Sequence, residues 1–125
     1  MRSFSLLIFL FLGFQSNATE TAWDLEKKKI DFLLLELSRV EGKFERNGDF
    51  YSSEDARNHL KMKLQNAVNS WFSPPKSKWT AKMFIEKLAS KSSISGKAYK
   101  IHFKTGKVEE ARRWLLKRLE KYKEK

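Results

Sequence analysis

The sequence contains no cysteine and only two prolines and two histidines among its 125 residues. The absence of cysteine excludes disulfides, thiol nucleophiles and cysteine-based zinc sites. The two histidines, His59 and His102, lie on different predicted elements and lack the spacing of metal ligands. We therefore expect neither a metal nor a cofactor, and a fold stabilised by its apolar core alone.

Long apolar runs are also scarce, and the one that exists lies at the amino terminus. Phe4–Phe14 is too short for a permanent membrane span, and Arg2 precedes it. Ser16 and Ala18 occupy the small-residue positions of a cleavage site after Ala18. This pattern predicts a secretory signal peptide over residues 1–18. The chain is then expected to be exported, periplasmic or secreted, with no transmembrane segment after cleavage.

Acidic residues are few in the second half of the chain. Residues 19–60 carry 7 basic and 10 acidic side chains, whereas residues 61–125 carry 18 basic and 5 acidic ones. The formal net charge of the whole chain is +11. Such a charge predicts attraction to anions, either a small anionic group or a polymer of the cell envelope. The predicted export argues against nucleic acid as the partner.

Apolar periodicity predicts one small helical domain over residues 19–125. Four segments have helical spacing of apolar residues, namely Glu20–Phe44, a segment from Ser52 or Ser53 to about Trp71, Ala81–Ala89 and Val108–Lys123. Ala98–Lys104 alternates apolar and polar residues, which predicts a strand with Asp49–Tyr51 as the nearest candidate partner. The expected fold is mainly α, with about four helices and one short strand or minor β-hairpin.

Two bends in this chain contain the residues that tolerate unusual backbone conformations or offer many polar groups. Asn47 and Gly48 tolerate the left-handed conformation, and we expect them at the C-cap of the first helix. The serine-rich segment Ser90–Lys97 has the composition of a loop. These two bends are the parts of the chain best suited to a site.

Several residues around both bends form a pattern that resembles a known family. The pattern comprises Phe44-x-Arg46-Asn47-Gly48-x-x-Tyr51, Glu54, Ala56, His59-Leu60, Lys63, Phe84-Ile85, the serine segment Ala89–Tyr99 and Trp114-Leu115. It is similar to the signature of the YfeK-like family of small exported bacterial proteins, and it extends over about residues 30–119. The resemblance implies export and a shared fold, but no reaction, because the family has no assigned activity. Where members often carry a cysteine this chain has Lys43, so no thiol role is carried over.

The candidate ligand-binding residues come from both bends. One proposed wall is Arg46, Asn47, Tyr51, His59 and Lys63, and the other is Ser90, Ser92, Ser93, Ser95, Lys97 and Tyr99. Hydroxyls, backbone N–H groups and cations of this kind can hold a phosphate or a carboxylate. The alternative is that the same polar groups bond one another and hold the serine loop against the Asn47-Gly48 bend.

These observations favour a small, basic, exported binding or interaction domain, with an anionic group as the ligand. We assign no catalytic residue, and the sequence leans away from an enzyme. Two alternatives stay open. One is a small serine hydrolase that uses a hydroxyl of Ser90–Ser95 with His59, although no Gly-x-Ser-x-Gly motif is present. The other is non-specific adsorption to an anionic membrane or wall polymer through net charge alone.

Overall fold

A computed structural model describes residues 19–123 of the chain, so the predicted signal peptide lies outside the described residues. Within that range, helices and strands follow one another as α1 (Ala22–Ser38), β1 (Gly42–Arg46), β2 (Asp49–Tyr51), α2 (Ser53–Val68), α3 (Ala81–Met83), β3 (Lys100–Phe103), β4 (Val108–Glu110) and α4 (Ala111–Glu120). A 3-10 turn, Lys76–Lys78, precedes α3, and a π-helical turn, Phe84–Leu88, continues it.

The prediction of a mainly α domain with one short strand or minor β-hairpin is wrong. The strands of the described residues form an antiparallel four-stranded sheet in the order β2-β1-β3-β4, so the fold is α+β. Two predicted helices were too long. The first ends at Ser38, and the residues around Phe44 belong to β1. The last begins at Ala111, because Val108–Glu110 pairs with β3 instead of starting the helix.

The Asn47-Gly48 bend is a hairpin turn and not a helix cap. Both residues have positive φ, 55° at Asn47 and 84° at Gly48, as the residue types predict. Arg46 and Asp49 pair directly across the turn, which makes it a two-residue connection. Asn-Gly is favoured at such turns because both central residues need the left-handed conformation. The expected backbone conformation is therefore present, but in a different element.

Replacing Gly48 with valine is expected to lower the free energy of unfolding by about 1 kcal/mol or more, because valine adopts positive φ only with strain. A built Cβ at Gly48 meets no heavy atom within 4 Å, so the loss should come from the backbone and not from a clash. Urea denaturation measures it. The control is Gly48→Asn, which tolerates this conformation and should lose less. Equal losses in both variants would contradict this explanation.

The strand predicted over Ala98–Lys104 is present as β3, but its predicted partner is wrong. It pairs with β1 on one side and β4 on the other, whereas Asp49–Tyr51 pairs only with the far side of β1. Alternation along β1 and β3 places Phe44 and Ile101 opposite each other, and both are buried. This face of the sheet therefore packs toward the helices.

The helices cover that inner face, and side-chain caps are present at the starts of α2 and α3. Ser52 caps α2 by accepting a hydrogen bond from the backbone N–H of Asp55, and Thr80 caps α3 in the same way. α1 packs closely against α2. The shared core contains Ile30, Leu33, Leu37, Leu60, Leu64, Phe84, Ile85, Ile101 and Leu115, each at most 4% exposed. Burial of these side chains is the main stabilising contribution in a domain without disulfides.

None of the helices within residues 19–123 has the length and apolar composition needed to cross a bilayer.

Candidate functional site

The face of the β1–β2 hairpin that packs toward the helices meets one side of α2, and this junction forms the candidate site. Alternation along β1 places Arg46 on the same face of the sheet as the buried Phe44. His59 and Lys63 are four residues apart on α2, so they lie one above the other on the same side of the helix. Both elements are positioned by features already described, the Asn47-Gly48 turn and the Ser52 cap.

Arg46 contacts both a tyrosine and a histidine. Its Nη2 donates a hydrogen bond to the hydroxyl of Tyr51 over 3.1 Å, and its guanidinium carbon lies 4.9 Å from the centre of that ring. Its Nη1 lies 3.1 Å from Nε2 of His59 and 3.4 Å from Nδ1. A neutral imidazole can accept from the guanidinium, whereas a protonated one cannot.

Lys63 makes the equivalent contacts on the other side of the histidine. Its Nζ donates to the hydroxyl of Tyr99 over 3.1 Å and to the backbone carbonyl of Lys91 over 3.4 Å. The ammonium lies 5.1 Å from the centre of the Tyr99 ring. His59 packs edge-to-face against the same ring, with the two centres 6.4 Å apart. Tyr99 therefore connects Lys63 to His59.

The electrostatics of this group are those of crowded, partly buried cations. Burial lowers the pKa of His59, and the positive charges of Arg46 and Lys63 lower it further. Burial likewise lowers the pKa of Lys63, with a second contribution from Arg46. Burial raises the pKa of Tyr99, so its hydroxyl stays protonated. Among residues 19–123, neither Arg46 nor Lys63 forms an ion pair with a carboxylate.

Stability should fall on acidification because of His59. Its folded-state pKa is lowered from 6.5, so the unfolded chain takes up the proton first as the pH drops below that value. We expect the free energy of unfolding to decrease more between pH 7 and pH 5 in the unaltered protein than in His59→Gln, as measured by urea denaturation. The control is Asn58→Gln, which changes an exposed residue next to His59 on α2 without removing a titratable group and should keep this dependence. An identical pH dependence with and without His59 would refute the assignment.

A pocket of ≈ 270 Å³ opens beside these side chains. Its apolar lining is Leu37, Phe44, Ala56, Leu60, Ala89 and Ala111. Its polar lining is Glu45, Arg46, Tyr51, Asp55, His59 and Tyr99. Glu45 is engaged elsewhere, with an oxygen 2.7 Å from Nε2 of His102 on the outer face of the sheet. The pocket thus combines an apolar interior with a polar edge that holds the guanidinium of Arg46 and the carboxylates of Glu45 and Asp55.

The serine-rich bend lies against the hairpin turn through one side chain. The amide nitrogen of Asn47 donates to the hydroxyl of Ser92 over 3.1 Å, and its amide oxygen accepts from the hydroxyl of Ser95. The Ser92 oxygen also accepts from the backbone N–H groups of Ile94 and Ser95. Ser92 is only 4% exposed. These polar groups therefore bond one another, which is the structural alternative that the sequence left open.

Comparison with known proteins places the chain in a family. The profile of a family of unknown function (DUF5329) matches residues 24–123. The chain belongs to this family. It is also 40% identical over 75 residues to the uncharacterized protein YfeK of Salmonella typhimurium, an alignment that covers 59% of this chain and 57% of the relative. The resemblance to the YfeK-like family is thereby confirmed.

The family assignment sets limits on what can be transferred. The aligned region spans a little more than half the length of the relative from Salmonella. No solved structure matches the chain. Because the family description names no activity, the DUF5329 assignment supplies no substrate or partner. A function for this chain must therefore be inferred from the geometry and charges of the site.

The remaining predicted site residues of this DUF5329 chain do not line the pocket. Ser90 is buried and donates its hydroxyl to the backbone carbonyl of Ile85, while Ser93 and Lys97 are exposed on the loop. In residues 19–123, no serine hydroxyl hydrogen-bonds His59, whose polar contact is Arg46. The hydrolase hypothesis therefore has no serine–histidine pair to support it within the described chain.

Over residues 19–123, no group of three or more His, Asp or Glu side chains is arranged to hold a metal ion. His59 has cations as neighbours, and His102 pairs with Glu45.

The pocket itself was not predicted. The predicted site residues were polar, whereas much of the wall is formed by residues that resemble ordinary core or helix residues in the sequence, namely Leu37, Ala56, Ala89 and Ala111. One signal was present. Ala56 and Ala89 are small residues in otherwise large-residue apolar stripes, and a small side chain leaves space beside its larger neighbours.

Proposed function

We propose that this chain is an exported, non-enzymatic domain that binds an anionic group in the pocket edged by Arg46, His59 and Tyr99. The observation that carries the proposal is the pair of partly buried cations, Arg46 and Lys63, without a carboxylate partner among the described residues. An anion in the pocket would supply the missing countercharge.

Energetics support this reading over a purely structural role. A partly buried charge is unfavourable unless it is paired, and two like charges around one imidazole add repulsion. Burial is the larger cause of the lowered pKa of His59 and of Lys63, and repulsion from the neighbouring cations adds to it. A carboxylate or phosphate accepting charge-assisted hydrogen bonds from Arg46 would relieve it. Ionisable groups with shifted pKa values and no countercharge are typical of functional sites.

Export is part of the proposal and depends on the predicted signal peptide over residues 1–18. The net charge of +11 is compatible with the anionic surroundings of a cell envelope. Removal of residues 1–18 from the protein recovered outside the cytoplasm, measured by intact mass, would support export. Recovery of the full-length chain from the cytoplasm alone would contradict it.

Replacing Arg46 with glutamine is expected to weaken anion binding at least tenfold, which corresponds to about 1.4 kcal/mol. The measurement is an NMR titration of the protein with sodium acetate or inorganic phosphate, with the amide signals of His59 and Tyr99 as reporters. Glutamine keeps some hydrogen-bonding capacity but removes the charge, so the loss reports the electrostatic contribution.

The matched control is Arg57→Gln, which removes one positive charge from the neighbouring turn of α2 without touching the pocket lining. It should leave the affinity within about twofold. If both variants lose affinity equally, and moderate salt abolishes binding in each, non-specific adsorption explains the result and the proposed site is wrong.

A further inference from the structure

We infer that the ligand is an amphiphilic monocarboxylate, with its carboxylate at Arg46 and an apolar group of roughly seven to ten carbon atoms inside the pocket. This inference rests on the proposed function and specifies the ligand class of the same site. It comes from three features of the pocket, which are its size, the separation of polar and apolar lining, and its charge.

The size of the pocket exceeds what a small inorganic anion fills. The volume is ≈ 270 Å³. An apolar cavity of about 150 Å³ accommodates benzene, so this pocket accommodates an apolar group nearly twice that size. A phosphate or acetate bound at Arg46 would leave most of the space filled with water.

The lining separates into two regions. Leu37, Leu60, Ala89 and Ala111 form the interior, and each is buried in the core. The polar contributors, Arg46, Tyr51, His59 and Tyr99, meet one another at the edge through the hydrogen bonds and ring contacts described above. Water against the apolar interior is displaced favourably by an apolar ligand, at about 25 cal/mol per Å² of apolar surface removed from water. A ligand with one charged end and one apolar end matches both regions.

The charge of the edge favours a single negative charge on the ligand. Arg46 contributes one positive charge to the lining, Lys63 contacts the hydroxyl of Tyr99 without lining the pocket, and the carboxylate of Asp55 lines it. Glu45 lines it as well and is paired with His102. A doubly charged phosphate monoester would face the carboxylate of Asp55 with more repulsion than a carboxylate would. The phenol of Tyr99, with its raised pKa, stays protonated beside such a group.

The test compares three probes on the unaltered protein by NMR titration at constant ionic strength. Octanoate has the charge and the apolar chain, acetate has only the charge, and octanol has only the chain. We expect the Kd of octanoate to be at least tenfold lower than that of either other probe. An octanoate affinity equal to that of acetate would overturn this inference while leaving the proposed function intact.

Two other results of the same comparison are also decisive. An octanol affinity equal to that of octanoate would overturn the inference, because the charge would then contribute nothing. If neither acetate nor octanoate shifts the signals of His59 and Tyr99, the proposed function fails together with the inference.

A pair of variants tests where the alkyl chain of octanoate binds. Ala56→Leu fills the apolar interior and should weaken octanoate at least tenfold, while the affinity for acetate stays within about twofold. Ala67→Leu is the matched control, the same change on the same helix outside the pocket lining, and should leave octanoate binding unchanged. If Ala56→Leu does not weaken octanoate binding, the alkyl chain binds outside this pocket and the inference is overturned. If Ala56→Leu fails to fold, the three-probe comparison decides alone.

Discussion

Phe84→Ala is expected to lower the free energy of unfolding by about 3–5 kcal/mol. Phe84 is 0% exposed and begins the π-helical turn that follows α3. Removing the ring deletes a large buried apolar surface and leaves a cavity between this turn and the rest of the core, which relaxes only partly. Because small domains have only about 5–15 kcal/mol of stability in total, the variant should be near the limit of folding.

Urea denaturation monitored by circular dichroism measures this loss. The matched control is Phe72→Ala, since Phe72 is 93% exposed after the end of α2. That variant should stay within about 0.5 kcal/mol of the unaltered protein. A similar loss in both variants would mean that Phe84 does not lie in the core.

Gly42→Ala is expected to cost about 3 kcal/mol, because it places a methyl group against the neighbouring strand. A Cβ built on Gly42 lies 2.2 Å from the backbone oxygen of His102 and 2.9 Å from Cα of Phe103. Both atoms belong to β3, which pairs with β1 at this position. Neither is the end of a flexible side chain, so the two strands must separate to admit the methyl group.

The melting temperature of Gly42→Ala should fall by about 12 °C or more, since a loss of about 1 kcal/mol lowers it by 4–8 °C in a domain of this size. The control is Gly106→Ala, where the added Cβ meets no heavy atom within 4 Å and only the positive φ of 100° opposes the change. We expect a loss of about 1 kcal/mol there. Equal effects at the two glycines would contradict close strand contact at Gly42.

The sequence predicted helix positions well where helical spacing had no competing interpretation. α2 was found as expected, because Ala56, Leu60 and Leu64 fit only a helical period, and Ser52 is the one of the two candidate caps that the helix uses. Phe44 was different, since it continues the helical stripe of α1 and also begins the alternation of β1. Asn47-Gly48 has two uses in the same way, at helix ends and in hairpins. Gly42 was the overlooked signal, because a glycine inside an apolar pattern indicates close backbone approach.

The polar residues of the pocket, Arg46, Tyr51, His59 and Tyr99, were among the predicted site residues, whereas its apolar wall and its arrangement were not predicted. Arg46, Tyr51 and His59 are close in sequence, so their meeting could be proposed from the elements alone. The pairing of Asn47 with Ser92 and Ser95 depends on the path of the chain through β3, and so does that of Lys63 with Tyr99. Sequence spacing cannot decide between a serine loop that binds a ligand and one that bonds to Asn47, because the same groups serve both.

The walls of the pocket have a thermodynamic consequence, because they come from almost the whole length of the domain, from Leu37 on α1 to Ala111 at the start of α4. No local segment can form the cavity alone, so it exists only in the fully folded chain. A molecule that occupies it must therefore stabilise the whole domain through linkage, by about 2.7 kcal/mol at a hundred times its Kd. Resistance to heat then becomes a screen for the natural ligand, even among compounds never tested for binding.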